Sequence, residues 1–346
     1  MSRLVHFFAL LAVLCLTALP AVAQVPNQAL DAVKARGLLR CGVWGDLPGF
    51  SAPDSAGLMR GLDADFCRAA AAAALGDATK VEFLRFASPG AGLQAVAAGE
   101  IDLLARNTTI TLGRDAGFAV APVGVLYFDG QGFLATRHSG IASLRDLGGK
   151  RICAGTGGGL QSARVVDRMG KLTGQTMTIV PADDSRAAFA AFKAGACEVV
   201  TADRSALAIR RITELPDPAA AVLLPEVISR EPLGPWVRAG QESWRELMFW
   251  VLQALITAEE LGITSGNLAL MLHADDPEVR MLLGFDPAVG AALGVAPDFA
   301  LQVIRQVGNY GEIYERTLGP ASGIGLDRGL SDIWLRGGLM FGMPMR

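Results

Sequence analysis

Two polar constellations carry the chemistry that this chain could perform. The run RNTTITLGRDAGF, residues 106–118, follows the apolar segment IDLLA and sets the hydroxyls of Thr108, Thr109 and Thr111 close in sequence to Arg114. A guanidinium is a planar fork of donors that meets a carboxylate through two parallel hydrogen bonds. The same run would also read as a solvated loop with capping hydroxyls. The second constellation is Asp203, which ends CEVVTAD and precedes RSALAIRR; it could cap that helix or present its carboxylate to a ligand. A cationic fork on one element facing an anion on another suits a zwitterion.

A third segment, Ala154-Gly155-Thr156-Gly157-Gly158-Gly159-Leu160, lies between a strand-like and a helix-like run. Gly157 and Gly158 leave backbone N–H groups unobstructed at a helix start, where an anion such as a carboxylate can be received. A tight turn that needs glycine for its backbone explains the run equally well. Leu160 stands where G-x-G-x-x-G requires Gly or Ala, so the dinucleotide fingerprint is not met. Catalytic alternatives are poorly supplied. The three histidines, His6, His138 and His273, show no HExxH or paired spacing, and there is no G-x-S-x-G elbow, Walker sequence or CxxC. No metal and no cofactor are expected.

The elements that must position these groups alternate short β-like runs with alanine-rich helical ones. Residues 38–44, 80–86 and 101–105 read as strands, with helices over 62–76 and 90–98 that stop at Gly76 and Gly99. The order recurs, with strands at 150–155, 176–180 and 197–201 and helices over about 159–170 and 185–194. Each half is a parallel βαβαβ unit, so the fold class is α/β with two similar lobes. AVAAGEIDLLARN and AFKAGACEVVTAD correspond position for position, matching Gly99 with Gly195, Asp102 with Glu198, and Asn107 with Asp203. Ligands of open α/β sheets bind beyond the carboxyl ends of the strands, so Asn107 and Asp203 are candidate contacts. VLYFDGQGFLAT (125–136) and VLLPEVISREPLGPWV (222–237) read as two crossovers forming a hinge, and the chain from about Gln241 as a helical extension packed on the first lobe.

Composition bounds the class. The chain has 346 residues, 51% hydrophobic and 19% charged, which excludes a disordered tail or a small disulfide scaffold. With 31 Lys and Arg against 34 Asp and Glu and no basic block, nucleic acid is not expected as a partner. At the start, Arg3 precedes an apolar run over residues 7–19 and the small-residue pattern Ala21-Val22-Ala23. This predicts a signal peptide over residues 1–23, export, and a mature start at Gln24. The run falls short of the roughly 20 residues that span a bilayer. Cys15 follows Leu14 rather than a small residue, so a lipid anchor is not expected. Four cysteines remain, Cys41, Cys67, Cys153 and Cys197, an even number suited to two disulfides in an oxidising compartment.

Several long segments carry a family resemblance. KARGLLRCGVW, GLDADFCRA, GEIDLLARNTTITLGRD, YFDGQGFLA, LLPEVISREPLGPWVR, TAEELGIT, DDPEVRMLLG and QVGNYGEIYERTLG closely resemble periplasmic substrate-binding proteins of general L-amino acid ABC uptake systems, over about residues 30–346. The resemblance implies a two-lobed type II periplasmic-binding fold that closes on an amino acid and hands it to an inner-membrane permease, as a monomer and not as an enzyme. Its implied boundaries are lobe 1 over 28–134 and 230–346, with the helical C-terminal extension, and lobe 2 over 135–229. It further implies that Arg114, assisted by Thr109, holds the ligand α-carboxylate, that Asp203 holds the α-ammonium, and that Phe50 walls the side-chain pocket. Gly157, Gly158, Gly159 and Leu160 stand where relatives carry Gly and threonines, Trp44 and Asp46 where small residues are common, and Met59 where Trp is common. Two alternatives share the fold: a periplasmic lyase acting on arogenate or prephenate, for which no residue announces itself as the acid or base and Glu82, Glu100 and Asp46 are only left open, and a ligand sensor without transport. Placement of the cysteines on strands and the helix predicts Cys41–Cys67 within lobe 1 and Cys153–Cys197 on neighbouring strands of lobe 2.

Overall fold

The computed structural model describes residues 27–155, 166–167, 169–171 and 174–345. The expected signal peptide, residues 1–23, the glycine run with Gly157 and Gly158, and most of the helix expected over about 159–170 lie outside the described residues. In chain order the elements begin with α1 (Gln28–Arg36), β1 (Leu39–Val43), a hairpin of β2 (Ala52–Pro53) and β3 (Met59–Arg60), α2 (Leu62–Leu75), β4 (Val81–Arg85) and α3 (Pro89–Ala98). They continue through β5 (Leu103–Thr109), α4 (Leu112–Gly117), β6 (Val120–Pro122), β7 (Tyr127–Asp129), β8 (Gln131–Thr136), β9 (Arg151–Gly155), β10 (Thr178–Ala182), α5 (Ser185–Lys193), β11 (Val199–Asp203), α6 (Arg204–Glu214) and β12 (Ala221–Leu223). The chain ends with β13 (Glu231–Arg238), α7 (Glu242–Glu260), α8 (Leu268–Met271), α9 (Pro277–Leu282), α10 (Pro287–Leu293), α11 (Phe299–Val307) and α12 (Tyr310–Thr317).

The strands make one sheet per lobe. Lobe 1 has the order β4-β1-β5-β13-β6, with β7 also on β13, and lobe 2 the order β10-β9-β11-β8-β12. In each, the βαβαβ strands pair in parallel and the strand arriving from the other lobe pairs antiparallel. Helix α2 shows how the sequence builds this arrangement. Its alanine run favours the helix, Gly76 ends it in the left-handed conformation, and every residue from Leu62 to Ala74 except Arg68 is buried. Small side chains on all faces let it lie between the sheet and the C-terminal helices.

The chain first crosses at Gly130, between β7 on one sheet and β8 on the other. Residues 131–134, expected in lobe 1, therefore pair in the lobe 2 sheet: the break between the sheets falls at Asp129-Gly130, four residues before the expected boundary. The return crossing runs beside the first: Ser229 Oγ accepts the Gln131 N–H at 3.0 Å, and a Cβ at Gly130 would stand 2.8 Å from the Ser229 carbonyl oxygen. The helical extension packs on lobe 1, where Trp244 Nε1 donates to the Asp102 carbonyl at 2.9 Å and the Tyr310 hydroxyl to the Leu126 carbonyl at 2.8 Å. Both expected disulfides form, Cys41–Cys67 and Cys153–Cys197. Among the described residues no helix is long and apolar enough to cross a membrane.

Candidate ligand-binding cleft

The matched strands β5 and β11 end at the cleft between the lobes. β5 does not stop at Ala105, as the apolar run suggests, but continues through the polar residues to Thr109, every one of them buried. Opposite β13, Thr109 faces Leu233 and Thr108 faces Gly234, yet the next partner of Trp236 is Leu104, so β5 bulges between Leu104 and Thr108. Asn107 within that bulge has φ of 40°, the only positive value among the described non-glycine residues. A bulge re-aims side chains. Here it brings Arg106, Asn107 and Thr109 to the cleft, while Thr108 turns inward and its hydroxyl donates to the Arg106 carbonyl at 3.3 Å. Asn107 Oδ1 is a buried acceptor with no partner among the described residues.

Helix α4 then delivers Arg114. Its N-cap Thr111 accepts the Arg114 N–H at 3.2 Å, and one Nη of Arg114 donates to the Thr109 carbonyl at 2.7 Å. Burial lowers the Arg114 pKa, and the nearby carboxylates of Glu231 and Asp203 oppose that shift.

On the opposite rim, Asp203 occupies the N-cap of α6, but its side chain accepts no N–H from the helix. The capping role passes to Asp129 at the first crossing, whose carboxylate accepts the Ser205 N–H at 3.3 Å, the Gly130 N–H at 2.8 Å and the Ser205 hydroxyl. Asp203 is thereby left to face the cleft. Burial first, then the Asp129 and Glu231 charges, hold its carboxyl well above the usual carboxylate range, and Arg114 pulls the other way. Burial also pushes Asp129 up, to about 6.

These groups line a cavity of about 390 Å³ walled by both lobes, with Arg114, Thr109, Asn107 and Thr111 on one side, Asp203 and Gln131 on the other, and Glu231 at the return crossing. Gly155, at the end of β9, also lines it. Phe50 does not: it is 1% exposed in the lobe 1 core, edge-on to Tyr127 at 5.4 Å. The aromatic wall is Trp44, one residue beyond β1, and the position after the strand that looks equivalent in sequence is turned inward by the intervening loop. Sequence reasoning also missed Arg106, Gln131 and Glu231. Strict alternation points Arg106 away from Asn107, Gln131 sits in a segment read as a crossover, and only the return of β13 brings Glu231 to the site.

The family model of bacterial extracellular solute-binding proteins, family 3, matches residues 39–282. This chain belongs to that family. Among its relatives are the glutamate/glutamine/aspartate/asparagine-binding protein BztA of Rhodobacter capsulatus, 43% identical over 92% of this chain and 93% of that protein, and the general L-amino acid-binding periplasmic protein AapJ of Rhizobium johnstonii, 40% identical over 92% of each. A solved ABC transporter periplasmic binding protein from Brucella ovis with glutathione bound has a TM-score of 0.86 and 39% identity, covering 92% of this chain and 99% of that one. The two-sheet architecture with paired crossings is thus the type II fold of family 3 solute-binding proteins, which serve amino-acid ABC transporters from the periplasm. In this family 3 member the cavity between the lobes brings an arginine and hydroxyls of one lobe opposite a carboxylate of the other.

Proposed function

We propose that the chain is the periplasmic receptor of an ABC importer for L-amino acids, exported by a signal peptide cleaved after Ala23 and working as a monomer that binds without turning its ligand over. Arg114 and Thr109, with Asn107 on the same side, take the α-carboxylate, while Asp203, with Glu231 acting on it as a second negative charge, takes the α-ammonium. The observation that carries this reading is the opposition of Arg114 on one rim to a half-buried Asp203 on the other whose side chain does not cap its helix. Asp203 and Glu231 outnumber Arg114 in that part of the cavity, and a ligand ammonium supplies the missing cation in a site where water screens poorly. Closing on the zwitterion completes both halves at once, and the closed form is what a permease would receive.

Calorimetry with L-amino acids and their α-hydroxy analogues tests it. L-Amino acids are expected to bind and be recovered unchanged, with the analogues that lack the ammonium bound at least 30-fold more weakly, about 2 kcal/mol. Equal binding of the two series would remove Asp203 from the role; conversion of arogenate or prephenate would replace binding by catalysis.

A further inference from the structure

We infer that Arg106 receives a second carboxylate of the ligand, so that the cleft selects amino acids with an anionic side chain. The inference rests on the zwitterion reading, since it takes Arg114 and Asp203 to be engaged by the α-groups.

Four observations carry it. The β5 bulge turns Arg106 into the cleft, where regular pleating would bury it on the opposite face from Asn107 and Thr109. Its guanidinium is then fixed: Nε donates to the Phe86 carbonyl at 2.8 Å and one Nη to the Ala87 carbonyl at 2.7 Å. No hydrogen bond of the other Nη is found among the described residues. The fork also lies 4.9 Å from the centre of the Trp44 ring, and Trp44 lines the same cavity, so one face of the cation is shielded from water.

The charges around Arg106 leave it short of a partner. Behind it, Asp63 on α2 is buried; its carboxylate accepts the Asn107 N–H, and one of its oxygens has no partner among the described residues. Burial pushes that carboxyl up to about 7, so near neutral pH it balances only part of the Arg106 charge. Arg106 itself is lowered by burial to about 10 and stays protonated. Arg114 acts on it as a like charge, which places the two guanidiniums in one electrostatic neighbourhood. Across the cavity, Asp183 and Asp184 are exposed, and Asp184 Oδ1 is occupied by the Ala187 N–H at 2.8 Å. Water screens those two carboxylates, whereas Arg106 is 4% exposed and acts at full strength on whatever enters. A planar fork with an open edge prefers a carboxylate to a neutral amide of the same shape.

The test is calorimetry of the full mature chain with L-glutamate, L-glutamine, L-aspartate, L-asparagine and L-alanine, repeated on Arg106→Gln and Arg106→Lys. The wild type is expected to bind each acid at least tenfold more tightly than its amide. Arg106→Gln should bring the acid-to-amide ratio within threefold while moving L-alanine by less than threefold, and Arg106→Lys should keep a preference for the acids. A merely structural role for Arg106 would weaken all five ligands together and leave the ratio unchanged. If a variant fails to melt cooperatively, the wild-type ratio alone decides: amides bound as tightly as acids overturn the inference while the zwitterion reading stands. If none of the five binds, both fall.

Discussion

In lobe 1, Asp102 stands one residue before β5 and accepts the Arg40 N–H at 2.7 Å; in lobe 2, Glu198 stands one residue before β11 and accepts the Arg151 N–H at 3.0 Å. Each carboxylate also pairs with the arginine whose amide it binds. The two sets of parallel strands thus share a device that ties the third strand to the first at the end away from the cleft. At the other end they part. β5 bulges, runs on and carries cations into the cleft, whereas β11 stops at Asp203. The bases also differ in burial: the extension covers lobe 1 through Trp244, leaving the Asp102 side chain 9% exposed against 32% for Glu198. What repeats in this molecule is the scaffold, and what differs between the lobes is the polarity each offers the ligand.

The largest effects should come from the unlike rims. Arg114→Ala and Asp203→Ala are each expected to cost about 2–5 kcal/mol in binding, with melting little changed, because each leaves a charged partner unpaired in a desolvated site. The pH profile separates the two. In the empty cleft the Asp203 carboxyl is raised by burial and by Asp129 and Glu231, while a bound ammonium favours its ionised form. Affinity should therefore fall as the pH drops through that raised value, by up to about tenfold per pH unit below it. Asp203→Asn should flatten this dependence, and titration calorimetry at several pH values would show it.

The crosslinks come next. In the chain-entropy picture, opening Cys41–Cys67, separated by 26 residues, should cost about 3.5 kcal/mol, and opening Cys153–Cys197, separated by 44, about 4 kcal/mol. Denaturant unfolding of the two Cys→Ser pairs would rank them; a larger loss from the lobe 1 pair would mean that the loop-length argument fails here.

Smaller effects should distinguish the two bases. Asp102→Ala leaves a half-buried Arg40 N–H without its acceptor and should cost about 1–3 kcal/mol, whereas Glu198→Ala removes an exposed pair worth about 1 kcal/mol or less. Acid should separate them as well. Arg151 holds Glu198 down to about 2, so its contribution is present above 4.5 and is lost as the pH falls towards 2. Burial raises Asp102 instead, so its pairing adds no such acid limb. The smallest expected effect lies across the cleft, where Asp46 on the lobe 1 rim pairs with Arg186 on α5 at 2.6 Å. Asp46→Asn should weaken binding by no more than about threefold, as for other exposed pairs; a larger loss would show that this contact helps hold the lobes closed.

The amino-acid sequence by itself determined the two matched sets of three parallel strands, the alanine helix α2, both cysteine pairs, and Arg114 and Asp203 as the polar groups beyond matched strands. These rest on local signals: periodicity, glycine stops and a repeated pattern of types. Three decisions belonged to the tertiary structure. Whether Asp203 capped its helix or faced the cleft depended on Asp129, which arrives from the other lobe's sheet to take the capping bonds. Which way Arg106 pointed depended on a mismatch between β5 and β13, strands far apart in the chain. Phe50 went into the core and Trp44 to the cleft because Tyr127, from a distant strand, offered the ring at position 50 an apolar partner. In each case the deciding neighbour is remote in sequence, and no local pattern encodes its arrival.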